Sequence, residues 1–380
     1  MLYSPEPIVY HTKVLLMKTK SVSIIINSPT FLINGQVCRT NIRRMAEKAR
    51  INDLIFRPHF KTHQSVEVGE WFRDDGVEAI TVASVSMAQQ FAAAGWQDIT
   101  IAFPLNIREI DEINLLAGKI RLNVLFDMPE QAAAMAKRLW KPAGFFVKID
   151  VGYHRAGVLP EDFETIDTIL GSAGSDMLQF NGFLTHAGQT YGANSREEIL
   201  NIHRKTSEIL YGLKQKYNRK FPGIITSTGD TPSCSLAEDF TGIDEIRPGN
   251  FVFYDLMQCQ LGSCSFDEIG AAVICPVVSV YPARNEALIY GGAVHLSKES
   301  LTNQDGSKNF GLIVPFINGK WRHPEGDDYL VSLSQEHGIF RTDSQWAKSL
   351  RPGELVAVIP VHSCLVADLY RNADCGFRIA

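Results

Sequence analysis

The most constraining feature of the chain is a regular alternation of apolar runs and amphipathic stretches between about residue 40 and residue 255. The amphipathic stretches have apolar residues at every third or fourth position, as helices do, and occupy residues 87–94, 107–116, 129–140, 160–170 and 195–217. The apolar runs have the length of strands and occupy residues 54–61, 79–84, 98–103, 122–127, 145–150, 179–186, 223–229 and 245–253. Eight strand–helix units in roughly 215 residues predict a (β/α)8 barrel of the α/β class rather than a doubly wound sheet, with a helix at 41–50 before the first strand.

The pattern of predicted strands and helices changes after residue 265. Short β-rich runs at 271–281, 286–290, 329–333 and 355–360 are separated by Gly, Pro and Asn, and no long helical pattern interrupts them. The segment 22–33 is also strand-like. A chain of 380 residues is longer than one hydrophobic core usually organises, so we predict two domains. The first is a barrel at 36–262, and the second is a mainly β domain formed by 1–35 and 263–380 that carries the metal site discussed below.

Bulk composition narrows the class of partner. The formal net charge of −5 gives no electrostatic reason to expect a nucleic acid or an anionic membrane, so a small molecule is the expected ligand. No apolar run approaches the roughly 18 residues of a transmembrane helix, and the first 23 residues lack the apolar core of a signal peptide, so we expect a cytoplasmic protein. Seven cysteines without a CxxC pair predict free thiols rather than a disulfide framework.

Cationic or potentially cationic side chains alternate in the segment 57–63, which reads Arg-Pro-His-Phe-Lys-Thr-His. On an extended strand, Arg57, His59, Lys61 and His63 would face the same side. Because an uncompensated buried charge costs several kcal/mol, this pattern predicts an anionic or covalently bound partner. Neighbouring cations also disfavour the ammonium form of a lysine and free its amine to attack a carbonyl. Lys61 is therefore the candidate Schiff-base lysine.

Polar, glycine-rich segments lie at the carboxyl ends of four other predicted strands, where the functional groups of such barrels collect. These segments are 150–157, 186–192, 227–233 and 247–250. Glycine lets backbone N–H groups approach an anion closely, and Ser or Thr hydroxyls add donors. Each segment alone is more typical of an ordinary turn, and Arg155 or His186 alone of a solvated or structural side chain. Their coincidence with Lys61 at a fifth strand end predicts a ligand site at this end of the barrel.

A second candidate site lies near the end of the chain, where Pro-Val-His-Ser-Cys spans 360–364. On a strand, His362 and Cys364 would share one face, and imidazole with thiolate suits zinc better than magnesium or calcium. Two protein ligands leave the ion open to water or substrate, which fits a catalytic metal rather than a structural one. The alternative reading of Cys364 is a small apolar side chain in a core.

Together these segments resemble the D-serine dehydratase and D-threonine aldolase family of pyridoxal-phosphate enzymes, built on the alanine-racemase-type barrel (fold type III). The resemblance covers roughly residues 28 to 370 and rests on the segments 57–63, 152–157, 186–191, 229–232, 247–250, 334–338 and 362–364. The His-x-Cys motif at His362 and Cys364 resembles that of the zinc-dependent D-serine dehydratase branch, whereas the resemblance implies His-x-Asp at this site in the aldolases. No role follows for the segment 334–337, whose alternative reading is a structural turn.

The resemblance implies a role for each matched residue. Lys61 would hold pyridoxal 5′-phosphate and move the α-proton of the substrate, and zinc would lie on His362 and Cys364. The residues that the resemblance places at the cofactor are Lys61, His59, Arg155, His186 and Tyr191, together with Ser227, Gly229, Thr231, Gly249 and Asn250 around its phosphate. Asp230 departs from the family pattern, in which a small neutral residue is common in the phosphate loop. A carboxylate there would repel a phosphate dianion unless its side chain turned away.

The implied activity is pyridoxal-phosphate- and zinc-dependent dehydration of a D-β-hydroxy amino acid, with D-serine giving pyruvate and ammonia. Retro-aldol cleavage of D-threonine to glycine and an aldehyde is an alternative that keeps the cofactor. Dehydration of D-threo-3-hydroxyaspartate is another, and it would need an extra cation for the side-chain carboxylate. A non-catalytic pyridoxal-phosphate-binding protein is an alternative of a different class. The resemblance also implies a homodimer.

Overall fold

The computed structural model describes residues 26–371 and 378–379, and its elements are numbered along the chain. Up to residue 250 the strands are β1 (Thr30–Ile33), β2 (Ile55–Phe56), β3 (Ala79–Val82), β4 (Asp98–Pro104), β5 (Arg121–Phe126), β6 (Ala143–Ile149), β7 (Leu178–Thr185), β8 (Ile225–Thr228) and β9 (Glu245–Ile246). The helices of the same region are α1 (Gly35–Ile51), α2 (Val66–Arg73), α3 (Val85–Ala93), α4 (Ile110–Ala117), α5 (Pro129–Arg138), α6 (Phe163–Ser172), α7 (Arg196–Tyr217) and α8 (Thr231–Leu236).

Strands dominate the remainder of the chain. They are β10 (Ala271–Tyr281), β11 (Glu286–Tyr290), β12 (Leu301–Thr302), β13 (Lys308–Asn309), β14 (Gly311–Ile317), β15 (Lys320–Trp321), β16 (Leu330–Leu333), β17 (His337–Arg341), β18 (Leu355–Pro360) and β19 (Arg378–Ile379). The helices are α9 (Leu256–Gln260), α10 (Ala293–Leu296), α11 (Gln345–Ser349) and α12 (Ser363–Tyr370). Within the described ranges, none of the helices combines the length and apolarity that a bilayer crossing requires.

Strands β2 to β9 form the predicted barrel. Each strand from β3 to β8 pairs in parallel with its successor, and β9 pairs in parallel with β2. The remaining seam, between β2 and β3, is bridged where His59 lies opposite Thr81. There the N–H of Phe60 donates to the Thr81 carbonyl at 2.8 Å, and the N–H of Thr81 donates to the Pro58 carbonyl at 2.9 Å. The prediction of a (β/α)8 barrel is therefore confirmed.

The first and last barrel strands are shorter than predicted. β2 covers 2 residues of the predicted strand 54–61, and β9 covers 2 residues of the predicted strand 245–253. Pro58 and Pro248 follow these strands and have no N–H to donate to a ladder. Residues 60–63 then form a turn, and Asn250–Val252 forms a turn of 3-10 helix. The chain therefore leaves strand geometry inside the segment that carries Lys61.

The C-terminal part forms an antiparallel, mainly β sheet, as predicted. Its order is β15-β14-β18-β10-β11-β17-β16, and β1 joins it by pairing with β10 in antiparallel register, Thr30 opposite Ile274. The strand-like segment 22–33 thus contributes 30–33 to this sheet, and 22–25 lie outside the described residues. The helix α12, which spans 8 residues, follows the last of the predicted β-rich runs and does not interrupt them. The domain boundaries at 36 and 262 stay a prediction.

A buried ionic network fills the interior of the barrel. Arg57 donates to Asp98 at 2.5 Å and to Glu245 at 2.6 Å. Ser227 donates to Glu245 at 2.6 Å and accepts from the Nε of Arg247 at 2.6 Å. Burial opposes the charge of Arg57, but the two carboxylates outweigh it and hold the pKa of the guanidinium above its ordinary value. The charge of Arg57 is therefore compensated within the protein, as a buried charge must be.

Candidate active site

Lys61 lies in a short turn at the carboxyl end of the first barrel strand. Its side chain is exposed, and its backbone N–H donates to the Nδ1 atom of His59 at 3.3 Å. The turn closes where the N–H of Gln64 donates to the Phe60 carbonyl at 3.0 Å. The structure thus places an accessible amine at this strand end, and the Schiff-base role of Lys61 stays a prediction.

The predicted alternation along 57–63 was wrong at both ends. Arg57 lies in the ionic network inside the barrel. His63 is 3% exposed and packs against the ring of Phe60, with 4.5 Å between ring centroids. Because the chain turns from Phe60 onwards, side chains stop alternating between two faces at that residue. His59 and Lys61 remain at the barrel mouth.

The burial of His63 gives a testable pH dependence. Burial, opposed by a hydrogen bond to the Ser65 backbone, lowers the pKa of His63 from 6.5 to about 3. Between these two pKa values the unfolded chain binds a proton that the folded chain does not. The free energy of unfolding should therefore fall as the pH drops below about 6.5. This residue contributes a slope of up to about 1.4 kcal/mol per pH unit. We expect urea titrations of His63→Phe to show a shallower pH dependence than wild type in this range. The two curves should be parallel above about pH 7.5, and parallel curves throughout would contradict the prediction.

His59 lies at the centre of a cationic cluster that the structure does form. Burial, and then the nearby Lys61, Arg247, His186 and Arg155, lower the pKa of His59 well below its ordinary value of 6.5. These neighbours belong to the ends of four different barrel strands. The basic side chains around the candidate lysine, of which His59 and His186 are uncharged, therefore converge through the barrel fold rather than through alternation within one strand.

Arg155 lies in the loop that follows β6. Asp150 shapes this loop by accepting hydrogen bonds from three consecutive backbone N–H groups, those of residues 152–154, at 2.9 to 3.0 Å. Arg155 is exposed, and its guanidinium lies over the ring of Tyr153, 5.0 Å from the centroid. Tyr153 in turn meets His186 edge-on, with 5.9 Å between ring centroids. The loop thus presents a guanidinium to the barrel mouth beside a predicted site histidine.

Lys148 belongs to the same cationic cluster and was not predicted. It lies on β6 and is 5% exposed. Burial, and then Arg155 and Arg247, lower the pKa of Lys148 to about 8, although Asp127 and Asp150 act in the opposite direction. Its signal in the sequence was its spacing of two from Asp150 within the predicted strand 145–150, which places both side chains on one face.

His186 and Tyr191 stand together after β7, and both are uncharged. The Nδ1 atom of His186 lies 2.5 Å from the Gly229 carbonyl oxygen, and because a carbonyl can only accept, Nδ1 carries the proton and Nε2 is an acceptor. Burial lowers the pKa of His186 to about 3, and burial raises the pKa of Tyr191. The two rings are 6.2 Å apart, and the Tyr191 hydroxyl accepts from the N–H of Thr231 at 3.3 Å.

Two glycines predicted at the phosphate lie tightly against neighbouring backbone. A Cβ atom on Gly229 would come within 2.7 Å of the Arg247 backbone, and one on Gly249 within 2.8 Å of the His59 carbonyl oxygen. The hydroxyl of Thr231 is buried without a hydrogen-bond partner among the described atoms. The glycines are therefore required by contacts between segments of the chain itself, whereas the unpaired buried hydroxyl fits a ligand with anionic oxygen atoms.

Two other residues predicted at the phosphate have different neighbours. The Ser227 hydroxyl is fully buried between Glu245 and Arg247 and bonds both. The Asn250 side-chain amide lies 3.5 Å from the Sγ atom of Cys364. The structure therefore does not support a phosphate contact for Ser227, and it places Asn250 beside a candidate metal ligand.

Asp230, the residue that departs from the family pattern, turns away from the loop. Its carboxylate caps α8 by accepting from the N–H of Ser233 at 2.7 Å, and it accepts from the Thr190 hydroxyl at 2.9 Å. Burial raises the pKa of Asp230, although these hydrogen bonds act in the opposite direction. The carboxylate is therefore engaged by the protein itself, which removes the expected conflict with a bound phosphate.

His362 and Cys364 meet, but not on a strand. β18 ends at Pro360, His362 is the N-cap of α12, and Cys364 lies in the first turn of that helix. Burial alone would lower the pKa of His362, but its hydrogen bond to Cys364 and the charge of that thiolate raise it to about 9. Burial likewise opposes ionisation of Cys364, yet His362 lowers the pKa of the thiol. The thiolate is ready to bind zinc, and the imidazolium beside it becomes the second ligand when metal binding displaces its proton.

Thr62 connects the lysine turn to this pair. It is 1% exposed, and its hydroxyl oxygen lies 3.2 Å from the Sγ atom of Cys364. Its neighbour Lys61 acts electrostatically on both His362 and Cys364. The fold therefore brings together the two chemical features that the sequence keeps about 300 residues apart, and Thr62, which sequence reasoning missed, is the contact between them.

The segment 334–337 lies between β16 and β17 of the second sheet. The carboxylate of Glu336 lies 3.8 Å from the Nε2 atom of His295, and the N–H of Gly291 donates to the Glu336 carbonyl at 3.0 Å. These contacts place the segment against α10. The placement agrees with the alternative reading of a structural turn.

The arrangement can be tested against the groups that the resemblance implies. The exposed amine of Lys61 and the buried unpaired hydroxyl of Thr231 fit a carbonyl-bearing phosphorylated cofactor. The nitrogen and sulfur donors of His362 and Cys364 fit zinc. Both groups are thus compatible with the residues present.

Two family models match the chain. Residues 33–256 match the N-terminal domain of alanine racemase, and residues 270–374 match a putative serine dehydratase domain. The first match covers the barrel strands β2 to β9, and the second covers β10 to β18.

Characterised proteins are similar over nearly the whole chain. D-serine dehydratase from Dictyostelium discoideum is 31% identical, with 91% of this chain and 92% of that protein covered. D-threo-3-hydroxyaspartate dehydratase from Delftia sp. is 25% identical, with 90% and 92% covered, and D-threonine aldolase from Arthrobacter sp. is 23% identical, with 89% and 86% covered. The solved structure of the Delftia dehydratase superposes with a TM-score of 0.82 at 24% identity, with 91% of this chain and 93% of that chain covered. A mutant of that dehydratase, described as metal-free, superposes with a TM-score of 0.84, also at 24% identity and with 91% and 93% covered.

Proposed function

The chain belongs to the family of D-serine dehydratases and D-threonine aldolases with an alanine-racemase-type barrel, and from this membership we propose that it dehydrates D-serine to pyruvate and ammonia with pyridoxal phosphate and zinc. Its relatives include lyases that act on D-β-hydroxy amino acids by dehydration and by aldol cleavage. The proposal selects dehydration, D-serine and zinc within that class.

One contact carries the proposal. Thr62, which follows Lys61 directly, lies 3.2 Å from the thiol of Cys364. A base for the α-proton and a metal for the β-hydroxyl must act on neighbouring carbon atoms of one small substrate, so the groups that supply them must lie close together. The contact between the lysine turn and the thiol meets this requirement.

The residues of the barrel mouth would hold the cofactor and remove the α-proton of the substrate. Pyridoxal phosphate would be held by Lys61, His59, Arg155, His186, Tyr191, Gly229, Thr231 and Gly249. When bound, it supplies an electron sink for the electron pair left on the α-carbon. Lys61 takes the α-proton at its Nζ atom, because its amine is exposed at the mouth. His186, with its proton on Nδ1, presents an uncharged Nε2 acceptor to the ligand.

The thiol side of the site serves the leaving group. Zinc would be held by His362 and Cys364, and when bound it supplies a Lewis acid for the β-oxygen, which leaves poorly as hydroxide. Thr62 and Asn250 flank the sulfur at 3.2 and 3.5 Å and fix its position. Loss of the α-proton and the β-hydroxyl releases one water, and the enamine set free hydrolyses to pyruvate and ammonia.

The proposal is tested by a substrate panel with and without metal. The purified protein, supplied with pyridoxal phosphate, is incubated with D-serine, L-serine, D-threonine and D-threo-3-hydroxyaspartate, and 2-oxo acids and aldehydes are measured. We expect pyruvate from D-serine and none from L-serine. A chelator should abolish this activity, and added zinc should restore it.

Each rival predicts a different product. Acetaldehyde and glycine from D-threonine as the main products would identify an aldolase. Faster turnover of D-threo-3-hydroxyaspartate than of D-serine would identify the other dehydratase. Dehydration that persists in the chelator would contradict the role of zinc, and a protein that binds the cofactor without turning over any of the four substrates would contradict the enzyme assignment.

A further inference from the structure

Asp255 is a buried carboxylate beside the candidate metal pair. It is 1% exposed and is the N-cap of α9, where its Oδ1 atom accepts from the N–H of Gln258 at 3.0 Å. Its Oδ2 atom accepts from the side-chain amide of Asn250 at 2.6 Å. The same oxygen accepts from the N–H of Ser363 at 2.9 Å and lies 3.2 Å from the Ser363 hydroxyl, which donates to it. One carboxylate thus joins three separate segments of the chain.

The donors to Asp255 are the neighbours of the proposed metal ligands. Ser363 stands between His362 and Cys364, so its two hydrogen bonds to Asp255 fix the backbone that carries both ligands. The Asn250 amide that donates to Asp255 also lies 3.5 Å from the Cys364 sulfur. The carboxylate therefore reaches the metal pair through the backbone on one side and through an amide on the other.

Asp255 is engaged in a way that suits a positioning residue rather than a metal ligand. Both of its oxygens already accept hydrogen bonds, and one of them accepts three. In the part of the chain that the structure describes, no group of three or more His, Cys, Asp or Glu side chains is placed to hold a metal. With two protein ligands, affinity depends strongly on how well those two are held in the binding geometry.

We propose that Asp255 is the positioning residue of the metal site, holding His362 and Cys364 in the geometry that binds zinc. This inference rests on the proposed function, because it presupposes zinc on these two side chains. Charge-assisted hydrogen bonds to a buried carboxylate are roughly twice as strong as neutral ones, which suits the task of fixing a short helix start.

The test measures zinc affinity directly, without turnover. Full-length wild type and Asp255→Asn, both stripped of metal, are titrated with zinc in competition with a chromophoric chelator. The variant keeps the shape of the side chain but replaces one acceptor oxygen by an NH2 group, so donors from Asn250 or Ser363 lose their partner. We expect zinc to bind about 10- to 100-fold more weakly.

A matched control separates positioning from a general loss of stability. Asp328 is also 1% exposed and accepts from the N–H groups of Asp343 and Ser344 at 2.7 and 3.0 Å, but it precedes β16 and, within the described residues, makes no hydrogen bond to His362, Cys364 or Ser363. Asp328→Asn is expected to bind zinc with wild-type affinity. Ser363→Ala removes the hydroxyl that donates to Asp255 and accepts from the Asn250 amide, and it leaves the backbone N–H bond to Asp255 in place. It should weaken zinc binding by a smaller factor of about three, and it serves as the test if Asp255→Asn does not fold.

The outcomes distinguish this inference from the function on which it rests. Equal zinc affinity for wild type and folded Asp255→Asn would overturn the inference and leave the zinc-dependent function standing. Equal affinity for wild type and Ser363→Ala would overturn it in the same way if Asp255→Asn is unfolded. Absence of zinc binding by the wild type would overturn the metal role and the inference together.

Discussion

Replacing Lys61 with alanine is expected to lower pyruvate formation from D-serine by at least about 10,000-fold. The proposed function gives this amine two tasks, holding the cofactor and taking the α-proton, and alanine can do neither. Because Lys61 is exposed in a turn and its backbone N–H bond to His59 survives the change, the free energy of unfolding should stay within about 0.5 kcal/mol of wild type. Coupled assay of pyruvate and urea unfolding measure the two effects separately.

A chemical label identifies the lysine independently of turnover. Borohydride reduction of the cofactor-loaded wild type should fix the cofactor on the peptide that contains Lys61, as seen by mass spectrometry, and the Lys61→Ala variant should have no such label. Lys141→Ala, at an exposed lysine on the outside of the barrel, is the control and should keep both activity and label. Label on another lysine, or turnover by Lys61→Ala above one hundredth of the wild-type rate, would contradict the assignment.

The barrel could be predicted because its signal is repeated and local. Apolar periodicity within about ten residues indicates each strand or helix, and eight strand–helix units are compatible with few folds other than a (β/α)8 barrel. The ends of the elements were less visible. β2 and β9 stop where Pro58 and Pro248 interrupt the ladder, and α12 begins at Ser363, in a stretch whose alternation looked like a strand.

The errors along 57–63 have two physical causes. Alternation places side chains only while the chain is extended, and here it turns from residue 60 onwards. The partners of Arg57 are Asp98 and Glu245, 41 and 188 residues away, and no local pattern reveals them. The cationic cluster around Lys61 therefore exists, but most of its members come from other strands.

The residue types in the sequence indicated the chemistry of the candidate site, but the contacts between its residues could not be predicted from them. His362 and Cys364 could be paired from their spacing, although their element was misassigned. Thr62 and Asp255 had no local signal, because their significance lies in contacts to Cys364 and Ser363 across more than 100 positions. Ser227 was assigned to the phosphate from its place in a glycine-rich segment, whereas the barrel interior uses its hydroxyl for Glu245 and Arg247.

Replacing Cys364 with alanine is expected to remove zinc and to lower D-serine dehydration by at least about 100-fold. The change removes one of the two proposed ligands and the sulfur that Thr62 and Asn250 hold at 3.2 and 3.5 Å. Without a Lewis acid the β-hydroxyl must leave as hydroxide, which is slow. Metal content by atomic absorption and pyruvate assay before and after zinc addition measure the two consequences.

The comparison with a second thiol shows whether the loss is specific to the metal pair. Cys259→Ala removes a partly buried cysteine of α9 that is not a proposed ligand, and it should keep both zinc and activity. Cys364→Asp restores a metal ligand of the kind that resembles the aldolase branch. That variant keeps the lysine and the metal and changes only the ligand, so a shift of product from pyruvate to aldehyde would show that residue 364 decides which bond is broken. A Cys364→Ala protein that still dehydrates D-serine at the wild-type rate would show that no metal at this position takes part.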